Sequence, residues 1–333
     1  MTVAATLRRA QRLGGQQYSI VLILLVVCTI FAVASGPFLS VTNLTNILLQ
    51  AAATSIAAIG MTFVIILAEV DISVGSLMSL AMTIAWMVSV APGQAGGELP
   101  VSVWIYPVGL VLGAALGMLN GVLINQLRIS AFIATLATMF AYRGIAWKLV
   151  GSSDKPFAES PVLVLGRSEL FGIGVPVYLM IVVAAAAAVV LRRMPVGRYI
   201  YAIGGSQRSA METGLPVRKV RLVAFGFSGL CCALAGLITI GRVGVLQANL
   251  GVGFEFTVIA AVVLGGTSLL GGRGSIVGSI LGAVLLVVID NGLNLLNASV
   301  YIYDVIKGLI LIIGVMIDVA LFTRTRPVVL GAS

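Results

Sequence analysis

The chain of 333 residues consists of successive apolar runs, most of them close to the length that a helix needs to cross a bilayer. Sixty per cent of the residues are apolar. These are about 200 residues, and because one span takes about 20 apolar residues, they suffice for about ten spans. The sequence therefore predicts an all-α, polytopic membrane protein with about ten transmembrane helices, forming one transmembrane domain over 1–333. The runs lie at roughly 18–36, 44–67, 73–91, 103–126, 131–150, 175–191, 221–240, 256–271, 275–290 and 300–321.

Charged residues are scarce. They make up 9% of the chain, against about a quarter in a soluble globular protein. A soluble chain this apolar could not cover its surface with polar groups. The composition therefore excludes a soluble enzyme, a nucleic-acid-binding protein and a disordered chain.

The residues needed for common enzyme chemistry are also missing. The sequence has no histidine, and its three cysteines, Cys28, Cys231 and Cys232, all lie in apolar runs, where they pack as small apolar side chains. It has neither a Gly-x-Ser-x-Gly turn nor the paired aspartates of intramembrane proteases. We therefore expect no catalytic residue, no metal site and no cofactor.

The basic residues predict the orientation of the spans. When the ten spans are threaded from a cytoplasmic N-terminus, 14 Lys and Arg residues fall in inside segments and 4 in outside segments. Inside loops of membrane proteins carry this excess of positive charge. The sequence therefore predicts that both termini are cytoplasmic, with a leader at 1–17, a long loop at 192–221 and a tail at 322–333.

Acidic residues interrupt the apolar pattern in the segment 60–79. Glu69 and Asp71 lie between two apolar runs with no real loop, so either they lie at the cytoplasmic interface or the helices break inside the protein. Ser73, Gly75 and Ser76 favour a broken helix, which is tolerated where the backbone faces protein or water.

A second unusual segment, 265–279, holds six glycines in 15 residues. It faintly echoes the first segment, since Gly-Ser opens the next helix in both, at Gly75-Ser76 and at Gly274-Ser275. Matching interrupted segments in two halves indicate the central site of a transporter. Tight helix packing without substrate contact is the alternative.

The loop 192–221 carries a short helix with defined ends. Pro195 ends the preceding helix, Gly204-Gly205 is predicted to be a turn, and the helix over Gln207–Thr213 has Ser206 as its N-cap. The loop is either a docking element for a cytoplasmic partner or a basic loop with an incidental helix. The candidate docking residues are Gly204, Gly205, Ser206, Arg208, Ala210, Glu212 and the helix stop, Gly214.

Other polar residues inside the spans predict a polar interior. Asp304 and Lys307 are three residues apart and are predicted to pair, and Arg143 is predicted to pair with an intramembrane carboxylate. The candidates for lining a translocation path are Glu69, Asp71, Ser73, Asn120, Thr135, Asn291 and Asn294.

Five segments carry a family resemblance that covers about 90% of the chain in order. GMTFVIILAEVDISVGS at 60–76, GMLNGVLINQLRISAFIATLATM at 117–139 and GRYIYAIGGSQRSAMETGLPVRKVR at 197–221 are similar to permease subunits of bacterial ABC importers for ribose, xylose, arabinose and related sugars. FTVIAAVVLGGTSLLGGRGSIVGSILGA at 256–283 and NGLNLLNASVYIYDVIKGLILIIGVMID at 291–318 continue it. The broader family includes autoinducer-2 and branched-chain amino-acid permeases.

The resemblance implies an assembly in the bacterial inner membrane. Its parts are a second permease copy, identical or related, a periplasmic sugar-binding protein and cytoplasmic ATP-binding cassettes. The helix at 206–213 matches the family's coupling helix, and since the chain has no Walker A motif, ATP hydrolysis is expected in the cassettes. The family usually has two glycines where this chain has Ala68-Glu69. The alternative is an ion-coupled secondary transporter that uses Glu69 and Asp71 as ion sites.

Overall fold

The computed structural model describes residues 20–90, 101–151, 153–158, 160–299, 301–303, 305–309, 312 and 316. The predicted leader 1–17, the tail 322–333 and Asp304 lie outside the described residues. A 3-10 turn, Gly36–Leu39, joins α1 to α2, and residues 301–303 and 305–309 are also helical. The helices are α1 (Ile20–Ala34), α2 (Val41–Ile66), α3 (Val74–Ser89), α4 (Ile105–Leu127), α5 (Ala131–Val150), α6 (Pro161–Arg167), α7 (Val175–Arg193), α8 (Pro195–Gly205), α9 (Gln207–Glu212), α10 (Val217–Val243), α11 (Phe254–Leu264) and α12 (Ile276–Leu295).

The prediction of a helical, polytopic membrane protein is confirmed. Five of the described helices, α2, α4, α7, α10 and α12, are long and apolar enough to cross a membrane. α1, α3 and α11 are apolar but shorter. α2 and α10 are largely buried inside the bundle, whereas α4 and α7 expose most of their apolar surface, as helices that face lipid do.

Two predicted boundaries are wrong. The span predicted at 256–271 ends at Leu264, because Gly265 packs against the backbone of Gly278 and Gly266 takes a left-handed conformation with φ +83°. The predicted loop 192–221 contains the complete helix α8. Pro195 occupies its first turn, where a missing N–H costs nothing, so it starts a helix as well as ending the one before it.

Two pairs of consecutive helices are separated by non-helical segments. α2 and α3 are separated by the non-helical segment 67–73, and α10 and α11 by the segment 244–253. We call these the first and the second break. The first turns of α3 and α11 meet, since Gly75 lies so close to the backbone of Gly251 that no Cβ would fit between them.

From this meeting point the two half-helices run to opposite ends of the bundle. Beyond the C-terminal end of α3, Val90 pairs with Val101, whose N–H donates to Ser160 Oγ just before α6 at 2.9 Å. Beyond the C-terminal end of α11, the N–H of Gly272 donates to the carbonyl of Ile66 at 2.8 Å, close to α8 and α9. We call these the α6 end and the α9 end.

The broken pairs belong to two similar packing units, α2–α4 and α10–α12. In the first unit α3 packs on α4, and in the second α11 packs on α12. The long helix of each unit packs on the other unit: α10 on α3 and α4, and α2 on α11 and α12. The segment that corresponds to the first break is therefore 244–253. The predicted echo between 60–79 and 265–279 is wrong, because Ser275 caps α12, accepting from Gly278 N at 3.0 Å, whereas Ser76 lies inside the first turn of α3.

Glycines hold α4 against α10. Four of them, Gly109, Gly113, Gly117 and Gly121, recur every fourth residue and so share one face of α4. A Cβ at Gly117 would meet the carbonyl of Phe225 and, at 3.1 Å, Cα of Gly229. This close approach, typical of helices packed in membranes, fixes α10 in the centre of the bundle.

The α6 end is covered by the segment 151–174, which the sequence predicts only as an outer loop. Besides α6 it carries a hairpin of β2 (Glu169–Leu170) and β3 (Ile173–Gly174). It also carries β1 (Lys155–Pro156), which pairs antiparallel with β4 (Val245–Leu246) in the second break.

Candidate transport and coupling sites

α9 has the ends that the sequence predicts. Ser206 Oγ accepts the N–H of Ser209 at 3.3 Å, and Gly214 takes φ +77° just beyond the last turn. The N–H of Gly214 donates to Met211 O and that of Leu215 to Ala210 O, both at 3.0 Å. This pair of bonds is the Schellman motif. The helix, at Gln207–Glu212, is one residue shorter than predicted.

The two faces of α9 differ in what they contact. Ala210 is buried against the protein's own core, with Ile203, Val217 and Val220. Met211 is 56% exposed, and Arg208 Nε pairs with Glu212 Oε1 at 3.1 Å on the surface. The residues available to a partner are therefore the exposed ones, and Ala210 anchors the helix from behind.

Gly204 and Gly205, predicted to form a turn, are the last residues of α8. Gly204 lies against the carbonyl of Ile66 and the backbone of Gly272, where no Cβ would fit. Gly205 has open space beside it. Gly204 thus brings the end of α8, the end of α2 and the glycine-rich segment 265–275 into contact.

A cavity of about 670 Å³ opens beside α9 at the same end. It lies between the first break, the α4–α5 turn and the start of α10. Its lining residues are Ala68, Glu69, Val70, Ile124, Asn125, Arg128, Ile129, Ser130, Ala131, Phe132, Gln207, Met211, Val217, Arg218 and Arg221.

Glu69 lies in this cavity wall, paired with Arg221. Both Nε and Nη2 of Arg221 lie 2.5 Å from Glu69 Oε1, and Nη1 donates to Asn125 Oδ1 at 2.6 Å. Asn125 in turn donates to the carbonyl of Arg218 at 3.0 Å. Glu69 is therefore tied to α10 and is not grouped with Asp71.

Asp71 holds the turn that leads into α3, inside the bundle. Its Oδ1 accepts the N–H of Ser73 at 2.9 Å and the Ser73 hydroxyl at 2.6 Å, and Asn120 Nδ2 donates to Ser73 Oγ at 2.7 Å. All three side chains are fully buried. Asp71 Oδ2 has no hydrogen-bond partner in the described part of the chain.

Thr135 on α5 joins the same group through the backbone. Its hydroxyl accepts the N–H of Ile72 at 3.2 Å. The hydroxyl of Tyr142, two turns along α5, donates to Leu116 O at 3.1 Å and lies 3.3 Å from Asn120 Oδ1. The structure thus brings four of the predicted path residues, Asp71, Ser73, Asn120 and Thr135, together around the first break.

Arg143 and Glu255 lie at the meeting point of the half-helices. Arg143 donates to the carbonyls of Leu250 and Gly251 at 2.7 and 3.0 Å, and so fixes the end of the second break. Glu255 is buried in the first turn of α11, interacts electrostatically with Arg143 and lies beside Gly75. Arg143 therefore binds backbone carbonyls in addition to facing the predicted carboxylate.

The remaining candidates lie at the α6 end, away from this centre. Asn291 and Asn43 exchange amide hydrogen bonds at 2.8 and 3.0 Å, which bridge α12 to α2, while Asn294 is exposed. Lys307 pairs with Asp290 at 3.1 Å. The predicted pairing of Lys307 with Asp304 stays a prediction, because Asp304 lies outside the described residues.

Three residues at these sites were not among the sequence candidates: Arg221, Glu255 and Tyr142. Glu255 directly precedes the run 256–271, and an acid at a helix start is a recognisable signal. Arg221 was counted only as an inside charge. In the described part of the chain, no group of three His, Cys, Asp or Glu side chains could hold a metal ion.

Comparison with known proteins places the chain in a family. A family model described as the permease component of the branched-chain amino acid transport system matches residues 43–315. The ribose import permease protein of Haemophilus influenzae is 40% identical over 90% of this chain and 92% of its own length. The D-allose and xylose transport system permease proteins of Escherichia coli are 34% and 33% identical, over 91% and 87% of this chain and 91% and 88% of their own lengths. No solved structure matches the chain. The chain belongs to this family of transport-system permease components.

Proposed function

We propose that the chain is the membrane-spanning permease subunit of an ABC importer for a sugar or a sugar-like solute. The similarity to the ribose, allose and xylose permeases over about nine-tenths of the chain supports the substrate class. The observation that best supports the mechanism is the geometry of α9. It is a short helix with defined ends, and short segments connect it to α8 and α10. A rigid element of this kind can transmit a displacement from a partner protein to the helix bundle.

The expected partners follow from this role. ATP-binding cassettes would dock on the exposed face of α9, with Arg208, Met211 and Glu212, and a periplasmic binding protein would deliver the solute at the other end. Gly204, Ser206 and Gly214 position α9 rather than contact the cassette. The chain itself carries no Walker A motif, so ATP hydrolysis is assigned to the cassette.

The proposed topology has ten spans, with both termini and the α9 end in the cytoplasm of a bacterium and the α6 end in the periplasm. The 14 to 4 division of basic residues supports it. In a variant without the native cysteines, a cysteine at the exposed hairpin residue Phe171 should react with an impermeant reagent added outside intact cells. A cysteine at Met211 should not, and labelling of Met211→Cys from outside would contradict this orientation.

The translocation path is proposed to lie on a two-fold axis between two permease copies. Sugars need hydrogen bonds that are easily broken, so a lining of Ser, Thr and Asn suits them better than fixed charges. Asp71, Ser73, Asn120 and Thr135 are buried within one chain and would shape the helices that line the path. Asn294 is exposed and remains a candidate for direct contact.

Reconstitution tests the function. Proteoliposomes with this permease, its cassette and its binding protein should accumulate ribose when ATP is present on the cassette side. The alternative, an ion-coupled transporter, predicts uptake by the chain alone under an ion gradient. Glu69 is bound to Arg221 and is not grouped with Asp71, which gives the ion sites of this alternative no support.

A further inference from the structure

We propose that Glu69 and Arg221 form a latch that carries the movement of α9 to the first break, and so act as positioning residues in the transport cycle. The proposal rests on the proposed function and adds a route from the coupling helix into the bundle.

The pair is short and largely shielded from water. Arg221 Nε and Nη2 both lie 2.5 Å from Glu69 Oε1, and each side chain is 11% exposed. Asn125 on α4 holds the third guanidinium nitrogen at 2.6 Å. Charged pairs buried in this way are screened little by salt, and removing one partner leaves an uncompensated charge. The latch therefore resists stretching more strongly than a surface ion pair would.

On the side of Arg221, the chain gives a rigid connection to α9. The N–H of Leu215 donates to Ala210 O at 3.0 Å and the N–H of Val217 to Leu215 O at 2.8 Å. α10 begins at Val217, so Arg221 lies one turn into it. α9 and the first turn of α10 thus form one corner, and a displacement of α9 displaces Arg221.

On the side of Glu69, the first break leads directly to the meeting point of the half-helices. Ala68 takes φ +63°, an unusual conformation for a residue with a side chain, and it turns the Glu69 side chain towards α10. Asp71 follows and binds Ser73, the residue just before α3, and Gly75 in the first turn of α3 touches Gly251. A pull on Glu69 is therefore applied to the start of α3.

A glycine at position 69 could not make this connection. The break would then be joined to α10 only through packing and backbone contacts, and α9 could move without moving α3. The latch predicts that ATP hydrolysis and sugar movement stay linked only while the pair is intact.

The test separates a coupling role from a purely structural one. The whole permease, reconstituted with its cassette and binding protein, is assayed for ribose uptake, for ATP hydrolysis and for melting temperature. The variants are Glu69→Gln alone, Arg221→Met alone and the double variant Glu69→Gln/Arg221→Met. The matched control is Asp290→Asn/Lys307→Met, which removes a partly buried ion pair at the α6 end.

Either single variant should lower the melting temperature, because one buried charge loses its partner. The double variant should regain most of the stability, since replacing both members of a buried pair is often neutral. Its ratio of ribose uptake to ATP hydrolysed should nevertheless be about tenfold lower than that of the wild type, a size typical of coupling between sites. The control should keep the wild-type ratio.

A wild-type ratio in the double variant would overturn the latch, whatever the single variants do. If the double variant does not fold, the Glu69→Gly variant is tested in its place, because glycine can adopt the local backbone conformation. A wild-type ratio of ribose uptake to ATP hydrolysed in Glu69→Gly would also overturn the latch. If the wild type itself shows no ATP-dependent uptake of ribose, allose or xylose, the proposed function fails and the latch fails with it.

Discussion

The two breaks that meet in the middle of the bundle are built in different ways. The first break, 67–73, contains no glycine and is held by side chains, through the Asp71–Ser73 hydrogen bonds and the Glu69–Arg221 pair. The second break, 244–253, turns at three glycines with positive φ, Gly244, Gly251 and Gly253, and is held by Arg143 on its carbonyls.

The difference matches the position of each break. The first lies beside α9, where ordered side chains would respond to the proposed cassette. The second lies beside β1 and α6, on the side where solute is expected to enter. We therefore expect the second break to be most sensitive to added bulk, and the first to be most sensitive to a change of charge.

The largest effect is expected from Gly251→Val. Valine at φ +74° is strained, and its Cβ would also meet the carbonyl of Gly75. We expect a loss of stability of about 3 kcal/mol or more, from the left-handed conformation and overpacking together. Thermal unfolding of the purified permease measures it.

The control for this variant is Gly253→Val, at the same φ of +74° but with open space around its Cβ. It should lose only about 1–2 kcal/mol. Equal losses in the two variants would show that the contact between the half-helices contributes nothing.

The next largest effect is expected from Arg143→Met. It removes two charge-assisted hydrogen bonds to the second break and leaves Glu255 without its nearby cation. We expect a loss of about 2–3 kcal/mol. Lys148→Met, which removes an exposed cation from the same helix, should change the stability by less than about 0.5 kcal/mol. A similar loss of stability in Arg143→Met and Lys148→Met would show that Arg143 does not stabilise the second break.

A smaller effect is expected from Gly214→Val, which extends the comparison to the coupling helix. Its φ of +77° ends α9, so valine should cost about 1–2 kcal/mol and misalign the helix. The permease should still insert, but ATP hydrolysis stimulated by the binding protein should no longer drive uptake. Gly205→Ala, in open space at the end of α8, is the control and should transport normally.

The smallest effect on stability is expected from Asn291→Leu, outside both breaks. It loses the amide bridge to Asn43, which is worth about 1 kcal/mol. Asn294→Leu, one turn away and exposed, should leave stability unchanged. Lower ribose uptake in Asn294→Leu at unchanged stability would place Asn294 on the path, and normal uptake in both would remove the two residues from it.

Much of this architecture was predictable from the sequence. Apolar runs gave most of the helices, and the caps Ser206 and Gly214 defined α9, because both signals are local. Asp71, Ser73, Asn120 and Thr135 are candidates from the sequence, since polar residues are conspicuous in an apolar chain, but their grouping is not predicted by it.

Features that depend on pairing between distant segments were missed or misassigned. The segment 265–279 resembles the first break only in sequence. The segment 244–253 has a different sequence but the same position in its packing unit as the first break. The sequence predicts Arg221 only as an inside charge, whereas the structure pairs it with Glu69. It predicts Pro195 only as a helix end, whereas Pro195 also starts α8.

The most direct test of the account compares wild type with Met211→Asp in proteoliposomes that contain the cassette. Met211 is exposed on α9 and contributes little to the core, so the variant should fold and insert normally. We predict that the wild type accumulates ribose only with ATP and binding protein present, and that Met211→Asp loses both uptake and co-purification of the cassette. Uptake without ATP, or wild-type transport and cassette binding by Met211→Asp, would contradict the account.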